Sequence, residues 1–282
     1  DSAYLRYLVA RLSAYPNVWW SLCNEFDLLD RPVERWDAVG QALAETDPHD
    51  HLRSIHNWTR LYDHNRPWVT HASLQLGQAT EDFGRASLFR DAYRKPVIFD
   101  EIKYEGDVPL RWGQLTAEQF VHQFWITTVA GCYASHGESF VLEDGSLHIV
   151  EGGELRGESP PRLGFLRRLL DEVDGVGLNP IDNWWDPDFV AGVPGEVYFL
   201  YLGASAPSSW IFRLPQGPRG DRLSVGDRFE VDVIDTWRMT VASVDHVFEL
   251  TEVQRNDAYA SAAEPVDLPA GRPIALRIRR AG

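Results

Sequence analysis

Short apolar runs ending in polar or ionisable residues alternate with amphipathic helices from residue 2 to residue 170, and this pattern restricts that part of the chain to a parallel sheet with helical crossovers. Leu5, Leu8 and Leu12 share a helical face over 2–14, which Pro16 closes. Asn17–Glu25 reads as a buried strand whose last side chains emerge at its C-terminal end. Trp36, Val39 and Leu43 predict a helix over 33–46, ended by Asp47-Pro48. Strands are expected at 52–57, 68–73, 96–101 and 131–135, with helices at 79–93, 116–130 and from Ser159 onward. Thr116 and Gln119 have the spacing of a capping box.

Beyond about residue 180 the helical period disappears. Val197–Leu202, Trp210–Leu214, Phe229–Ile234, Arg238–Val241 and Ile274–Ile278 read as short strands separated by Gly, Pro and Asp. The expected division is therefore 1–178 and 179–282. The first part has the texture of a (β/α)8 barrel, in which the C-terminal strand ends form the active face. Its runs are too few to close one. The expectation is an α/β chain carrying the C-terminal part of a TIM barrel (strands four to eight), then a small antiparallel β-sandwich. The chain opens at Asp1 directly on a helix, so strands one to three are expected to be absent. An upstream barrel segment or a homo-oligomer partner would then complete the sheet.

Charge narrows the partners. With 27 Lys and Arg against 42 Asp and Glu, the net charge of −15 disfavours nucleic acid and anionic membranes. No run of apolar residues reaches the length of a membrane span. Cys23 and Cys132 sit in apolar runs and read as buried thiols. The 11 Trp suit either sugar stacking or a large core. No Walker loop, Cys-x-x-Cys or strand-following Gly-x-Gly-x-x-Gly is present, and no cofactor is expected.

Two carboxylates end strands. Glu25 follows Asn24, and a half-desolvated strand-tip carboxylate suits general-acid work. On the strand 96–101, alternation groups Val97, Phe99 and Glu101 on one face, taken as inward, and turns Asp100 away. A glycosidase needs two such groups flanking one scissile bond.

The segment YLVARLSAYPNVWWSLCNEFD (7–27) resembles the strand-four region of retaining glycoside hydrolases of clan A, most closely bacterial apiosidase-like and cellulase-like barrels with a C-terminal β-domain of unknown function. The likeness continues through HLRSIHN (51–57), PWVTHASLQ (67–75), KPVIFDEIKYEG (95–106), HGES (136–139), GGELRGESPPRLGFLRRLL (152–170) and VDVIDTWRMT (231–240). It implies hydrolysis of O-glycosidic bonds in an oligo- or polysaccharide, with Glu25 as acid/base, Glu101 as nucleophile and Asn24 beside it. It places His56, Asn57, His71 and His136 where such enzymes contact sugar or orient carboxylates. Glu138 is a candidate for binding hydroxyls or for a loop salt bridge. Tyr104 and Trp112 are candidates for sugar stacking, and Glu105 is a rival nucleophile.

Other readings stand beside this one. His49, His51, His56 and His71 could form a metal cluster of a TIM-barrel hydrolase, although His49 and His51 precede their strand. Asn57-Trp58-Thr59 matches a glycosylation sequon, but a strand end favours substrate contact. A non-catalytic carbohydrate-binding or inactive fragment is the alternative. In it the β-domain aromatics matter: Trp210 and Trp237 read as core, and Trp184 and Trp185 as packing the linker.

Overall fold

The computed structural model describes residues 2–75, 80–147, 154–173, 178–181, 189–216, 223–255, 257–260 and 265–282. Trp184 and Trp185 lie outside the described residues. Helix α1 (Ser2–Leu12) buries Val9 but leaves Tyr4 and Tyr7 exposed, and it packs on α2 (Val33–Thr46). Between them, strand β1 (Trp20–Ser21) pairs in parallel with β2 (Arg53–Ser54). The ladder runs on past the strands, with Leu22 N donating to Ser54 O and Phe26 N to His56 O.

Asp47 ends α2 and organises the turn into β2. Its carboxylate accepts from Trp20 Nε1 and from the backbone N–H groups of His49 and His51. Burial opposes ionisation there, but the bonds from Trp20, His51 and His49 prevail and hold the carboxyl at about 2.

Strand β3 (Ala72–Gln75) starts later than the pattern 68–73 predicts. Trp68 is taken up by α2 instead. Its ring lies on Gly40, where a Cβ would meet it at 2.3 Å, and its indole N–H donates to Asp37 Oδ1 at 3.1 Å. A single bridge, His56 to Ser73, joins β2 to β3. Helix α3 (Phe83–Tyr93) leads to β4 (Val97–Glu101), which runs parallel to β3. The short strand β5 (Glu105–Gly106) precedes α4 (Ala117–Val129), whose capping box forms as expected: Gln119 N donates to Thr116 Oγ1 and Thr116 N to Gln119 Oε1. Strand β6 (Tyr133–Ala134) then joins β4, and β7 (Glu138–Ser139) pairs with β5. The result is an open parallel arc in the order β1-β2-β3-β4-β6.

The assigned face of β4 needs correction. Val97 and Phe99 are fully buried with Ala72, Leu74, Ala86 and Phe120 against α3 and α4, so they face the helix layer. A register shift between Ser73 and Gln75 then breaks simple alternation before Glu101.

Helix α5 (Ser159–Asp171) carries Pro160 and Pro161 in its first turn, where missing N–H groups cost nothing. Beyond it lie β8 (Asn179–Pro180), β9 (Phe189–Val193), β10 (Val197–Gly203), β11 (Ser209–Trp210), β12 (Arg213–Pro215), β13 (Arg228–Asp235), β14 (Thr240–Val253), β15 (Asp257–Ala260), β16 (Val266–Asp267) and β17 (Ile274–Arg280). An eight-stranded antiparallel sheet runs β12-β15-β14-β13-β17-β10-β9-β8, and β11 pairs with β16 beside it. The whole is a mixed α/β chain. The expected strand Trp210–Leu214 splits between β11 and β12, which take different partners. The expected strand Arg238–Val241 begins in a turn, at Arg238 and Met239, and only Thr240 and Val241 lie in β14. Asp235 Oδ1 accepts from Trp237 N and Arg238 N, and Met239 takes a left-handed conformation before β14 begins.

Two clusters hold the β-rich part. One is internal to it, built on Phe212, Phe229 and Phe248. The other is shared: Trp125, Ile126, Phe165 and Leu169 from α4 and α5 pack with Ala191, Phe199, Tyr201 and Ile234. Trp125 stacks on Tyr201 with centroids 5.3 Å apart. No described helix is long and apolar enough to cross a membrane.

Candidate active site

At the C-terminal end of β1 the chain turns sharply. Glu25 adopts φ 48° and ψ 53° and opens a 3-10 turn over Phe26–Leu28. A left-handed conformation in a non-glycine residue costs on the order of 1–3 kcal/mol and persists only where its surroundings hold it. Gln75, at the end of β3, supplies part of that hold: with its amide turned so that the nitrogen faces the two acceptors around it, that nitrogen donates to Glu25 Oε1 and to Asn57 O at 3.0 Å each. Asp27 supplies another, accepting the backbone N–H groups of Trp58, Thr59 and Arg60. The loop after β2 is thus tied to the loop that carries Glu25.

Glu101 faces the same space from the end of β4. His56 Nε2 lies 3.5 Å from its Oε1, and the Tyr104 hydroxyl donates to Oε2 at 3.0 Å. The nearby His56 is the largest influence on Glu101. Burial opposes it, but with help from Tyr104 and Asn24 the carboxyl is held below the ordinary carboxylate range. Burial raises the Tyr104 phenol, and the negative charges of Glu101 and Glu25 raise it further. Both carboxylates therefore act on one phenol. Behind Glu101, His56 Nδ1 meets Ser73 Oγ at 3.0 Å, and Ser73 Oγ donates to Asp100.

The structure thus brings Asn24, Glu25, His56, Glu101 and Tyr104 together. Trp112 joins them, edge-on to Tyr104 with centroids 5.6 Å apart and its ring partly exposed. Other expected residues lie elsewhere. His71 precedes β3, and its ring packs 5.3 Å from Trp19. Burial depresses its basicity, with Asp100 partly offsetting the effect. Asn57 is fully buried, and its Oδ1 accepts from Gln75 N, so it presents neither a glycosylation acceptor nor a group to the cleft.

Glu138, expected to meet hydroxyls or a salt bridge, is buried and accepts the backbone N–H groups of Arg156 and Gly157. His136 Nε2 stands 3.5 Å from it, with the ring edge-on to Phe120. Glu105, the rival nucleophile, accepts from Glu158 N and Ser159 N and faces away from Glu101's partners. The histidines of the metal reading do not converge. His51 is bound to Asp47 and Tyr15 O before β2 begins, whereas His56 lies past its end. Among the described residues, the group whose ligand atoms lie within 4.8 Å of one another is Glu105, His136 and Glu138.

Sequence reasoning missed Gln75, Ser73 and Asp27. Gln75 carried a readable signal as the polar residue closing the run Ala72–Gln75. Ser73 acts across the sheet, on His56 and Asp100, and Asp27 through loop N–H groups, contacts that no periodicity encodes.

Residues 1–140 match the apiosidase-like catalytic domain. Residues 184–279 match a domain of unknown function, DUF5605. The chain is similar over 99% of its length to a candidate glycoside hydrolase of Bacteroides vulgatus ATCC 8482, at 32% identity and a TM-score of 0.93. It spans 55% of that protein. A family 5 glycoside hydrolase of the same organism shares the fold at 16% identity and a TM-score of 0.63, with 99% of this chain and 65% of that one covered. A family 44 endoglucanase of Clostridium acetobutylium does so at 10% identity and a TM-score of 0.52, with 99% and 70% covered. No curated protein matches the chain. The catalytic-domain match covers just under half of the chain, and the two less similar structures share its fold.

Proposed function

We propose that the chain hydrolyses O-glycosidic bonds of an oligo- or polysaccharide by double displacement, with Glu101 as nucleophile and Glu25 as acid/base. The observation that carries this reading is the shared phenol: Tyr104 bonds Glu101 while feeling the charge of Glu25. Glu101, kept ionised by its donors, attacks the anomeric carbon. Glu25 gives its proton to the departing oxygen as that bond breaks. Glu25 then takes a proton from water, whose oxygen attacks the anomeric carbon and releases Glu101. Asn24, beside Glu101, is suited to a sugar hydroxyl, and Trp112 to stacking on a ring.

In this reading the open arc represents strands four to eight of a (β/α)8 barrel, and the eight-stranded sheet belongs to a β-sandwich domain. The edge of β6 that has no partner among the described residues borders a groove of about 830 Å³ lined by Arg90, Tyr133, Leu163 and Leu166. That groove sits at the N-terminal ends of the strands, between α3, α4 and α5 and away from the two carboxylates, and strands one to three remain to be supplied to the arc. The strands would come from an upstream segment or a second copy of the chain.

The decisive experiment is trapping. A panel of 2,4-dinitrophenyl 2-deoxy-2-fluoroglycosides should leave one fluoroglycosyl adduct on the peptide containing Glu101. Glu101→Gln should abolish it. Labelling at Glu105, or binding of glycans without turnover or labelling, would overturn the assignment; the second outcome supports the non-catalytic alternative.

A further inference from the structure

Two buried carboxylates outside the reacting pair remain to be explained. Glu105 and Glu138 sit opposite each other in the β5–β7 pair. Between them they accept the backbone N–H groups of residues 156, 157, 158 and 159, where α5 begins. Negative charge is favoured at this end of a helix, and the first N–H groups have no partner within it. The fit is close: a Cβ on Gly157 would lie 2.4 Å from Glu105 Oε2.

The same strands carry site residues. Tyr104 immediately precedes Glu105, and His136 lies two residues before Glu138. Gly137 passes against the Tyr104 ring, where a Cβ would meet two ring carbons at 2.3 Å. Thus α5 holds the strands that hold the phenol.

Helix α5 is in turn held by the β-rich part. The Arg162 guanidinium stacks over the Trp237 ring at 3.5 Å, and Arg162 Nε donates to Trp237 O at 3.0 Å. Trp237 lies in the β13–β14 turn fixed by Asp235. A continuous set of contacts therefore runs from this turn through Arg162 and α5 to Glu105 and Glu138, and on to Tyr104 and Glu101.

We infer that Glu105 and Glu138 are positioning residues, through which the β13–β14 turn of the C-terminal part sets the Tyr104 hydroxyl against Glu101. The inference rests on the proposed roles of Glu101 and Glu25, and it assigns the C-terminal part a task within the active site. The competing use of these side chains is a cation site with His136. It is the weaker reading, because the carboxylates already serve four backbone N–H donors.

The test uses the full chain and variants Glu105→Gln, Glu138→Gln and Trp237→Ala. Glu101 titration is followed by carboxyl 13C NMR, turnover with 2,4-dinitrophenyl glycosides, and metal content by mass spectrometry. The expected result is an upward shift of the Glu101 titration in all three variants. With it goes a loss of roughly 10- to 100-fold in kcat and little change in KM, as small misplacement of a reacting group produces. Lowered melting temperatures with an unchanged Glu101 titration would reduce the two glutamates to a helix cap and overturn the inference. Stoichiometric metal, lost with Glu105→Gln, would overturn it in favour of a cation site. Trp237→Ala lies far from the carboxylates and decides the coupling even where a glutamate variant fails to fold. The NMR titration needs no turnover, so an inactive chain would defeat the proposed function and leave this test intact.

Discussion

The Tyr104 hydroxyl donates to Glu101 Oε2 at 3.0 Å, while the next residue in the chain, Glu105, turns its carboxylate the other way to cap α5. Adjacent residues thus serve the candidate nucleophile and the helix behind it.

Tyr104→Phe removes a donor that lowers Glu101. The ionised carboxylate is then less favoured, so its pKa rises. The acid limb of the kcat/KM profile should move to higher pH, by up to about one unit if the bond is worth about 0.5–1.5 kcal/mol. A pH–rate series on one aryl glycoside checks this, and an unmoved acid limb would count against Glu101 as the essential base form.

Gln75→Leu strips Glu25 of a donor and leaves Asn57 O without its side-chain partner. Under the proposed acid/base role, departure of a poor leaving group needs the proton from Glu25, whereas a 2,4-dinitrophenolate does not. The variant should lose roughly tenfold on alkyl glycosides and much less on the dinitrophenyl compounds, a part of the roughly 10²–10⁴-fold that general-acid assistance supplies. Equal losses on both would place Gln75 outside the acid/base role.

Gly40→Ala drives a methyl group into the Trp68 ring. Overpacking of this kind costs about 1–3 kcal/mol. Urea unfolding followed by tryptophan fluorescence should show a lower midpoint with an unchanged slope.

Asp47 gives a pH dependence of stability with a definite sign. Its folded pKa, about 2, lies below its unfolded value. The stabilisation is therefore present above about pH 5 and is lost as the pH falls through 2, for a total on the order of 2 kcal/mol. Asp47→Asn should flatten the fall of the melting temperature over that interval. An unchanged acid slope in the variant would show that other carboxylates set it.

What the residues disclosed in advance follows from how local each signal was. Helix α2 and the Thr116–Gln119 cap were legible because their determinants lie within a few positions of one another. Asn24, Glu25 and Glu101 were legible as polar residues ending apolar runs. The face of Val97 and Phe99 was not, because both faces of a buried parallel strand are apolar until its neighbours are known. Trp68 left its expected strand for a contact with Gly40, 28 positions earlier, and Arg238 was drawn into a turn by Asp235. The anchoring of Glu105 and Glu138 depends on backbone groups 18 to 54 positions away, which no spacing rule reaches.

The hydrophobic cluster shared by α4, α5 and the β-rich sheet has a consequence for modularity. A recombination event, natural or engineered, that moved only the sheet would tear Trp125 from Tyr201 and Phe165 from its packing partners. A graft of this C-terminal part onto another scaffold therefore needs a surface there that replaces Trp125, Ile126, Phe165 and Leu169.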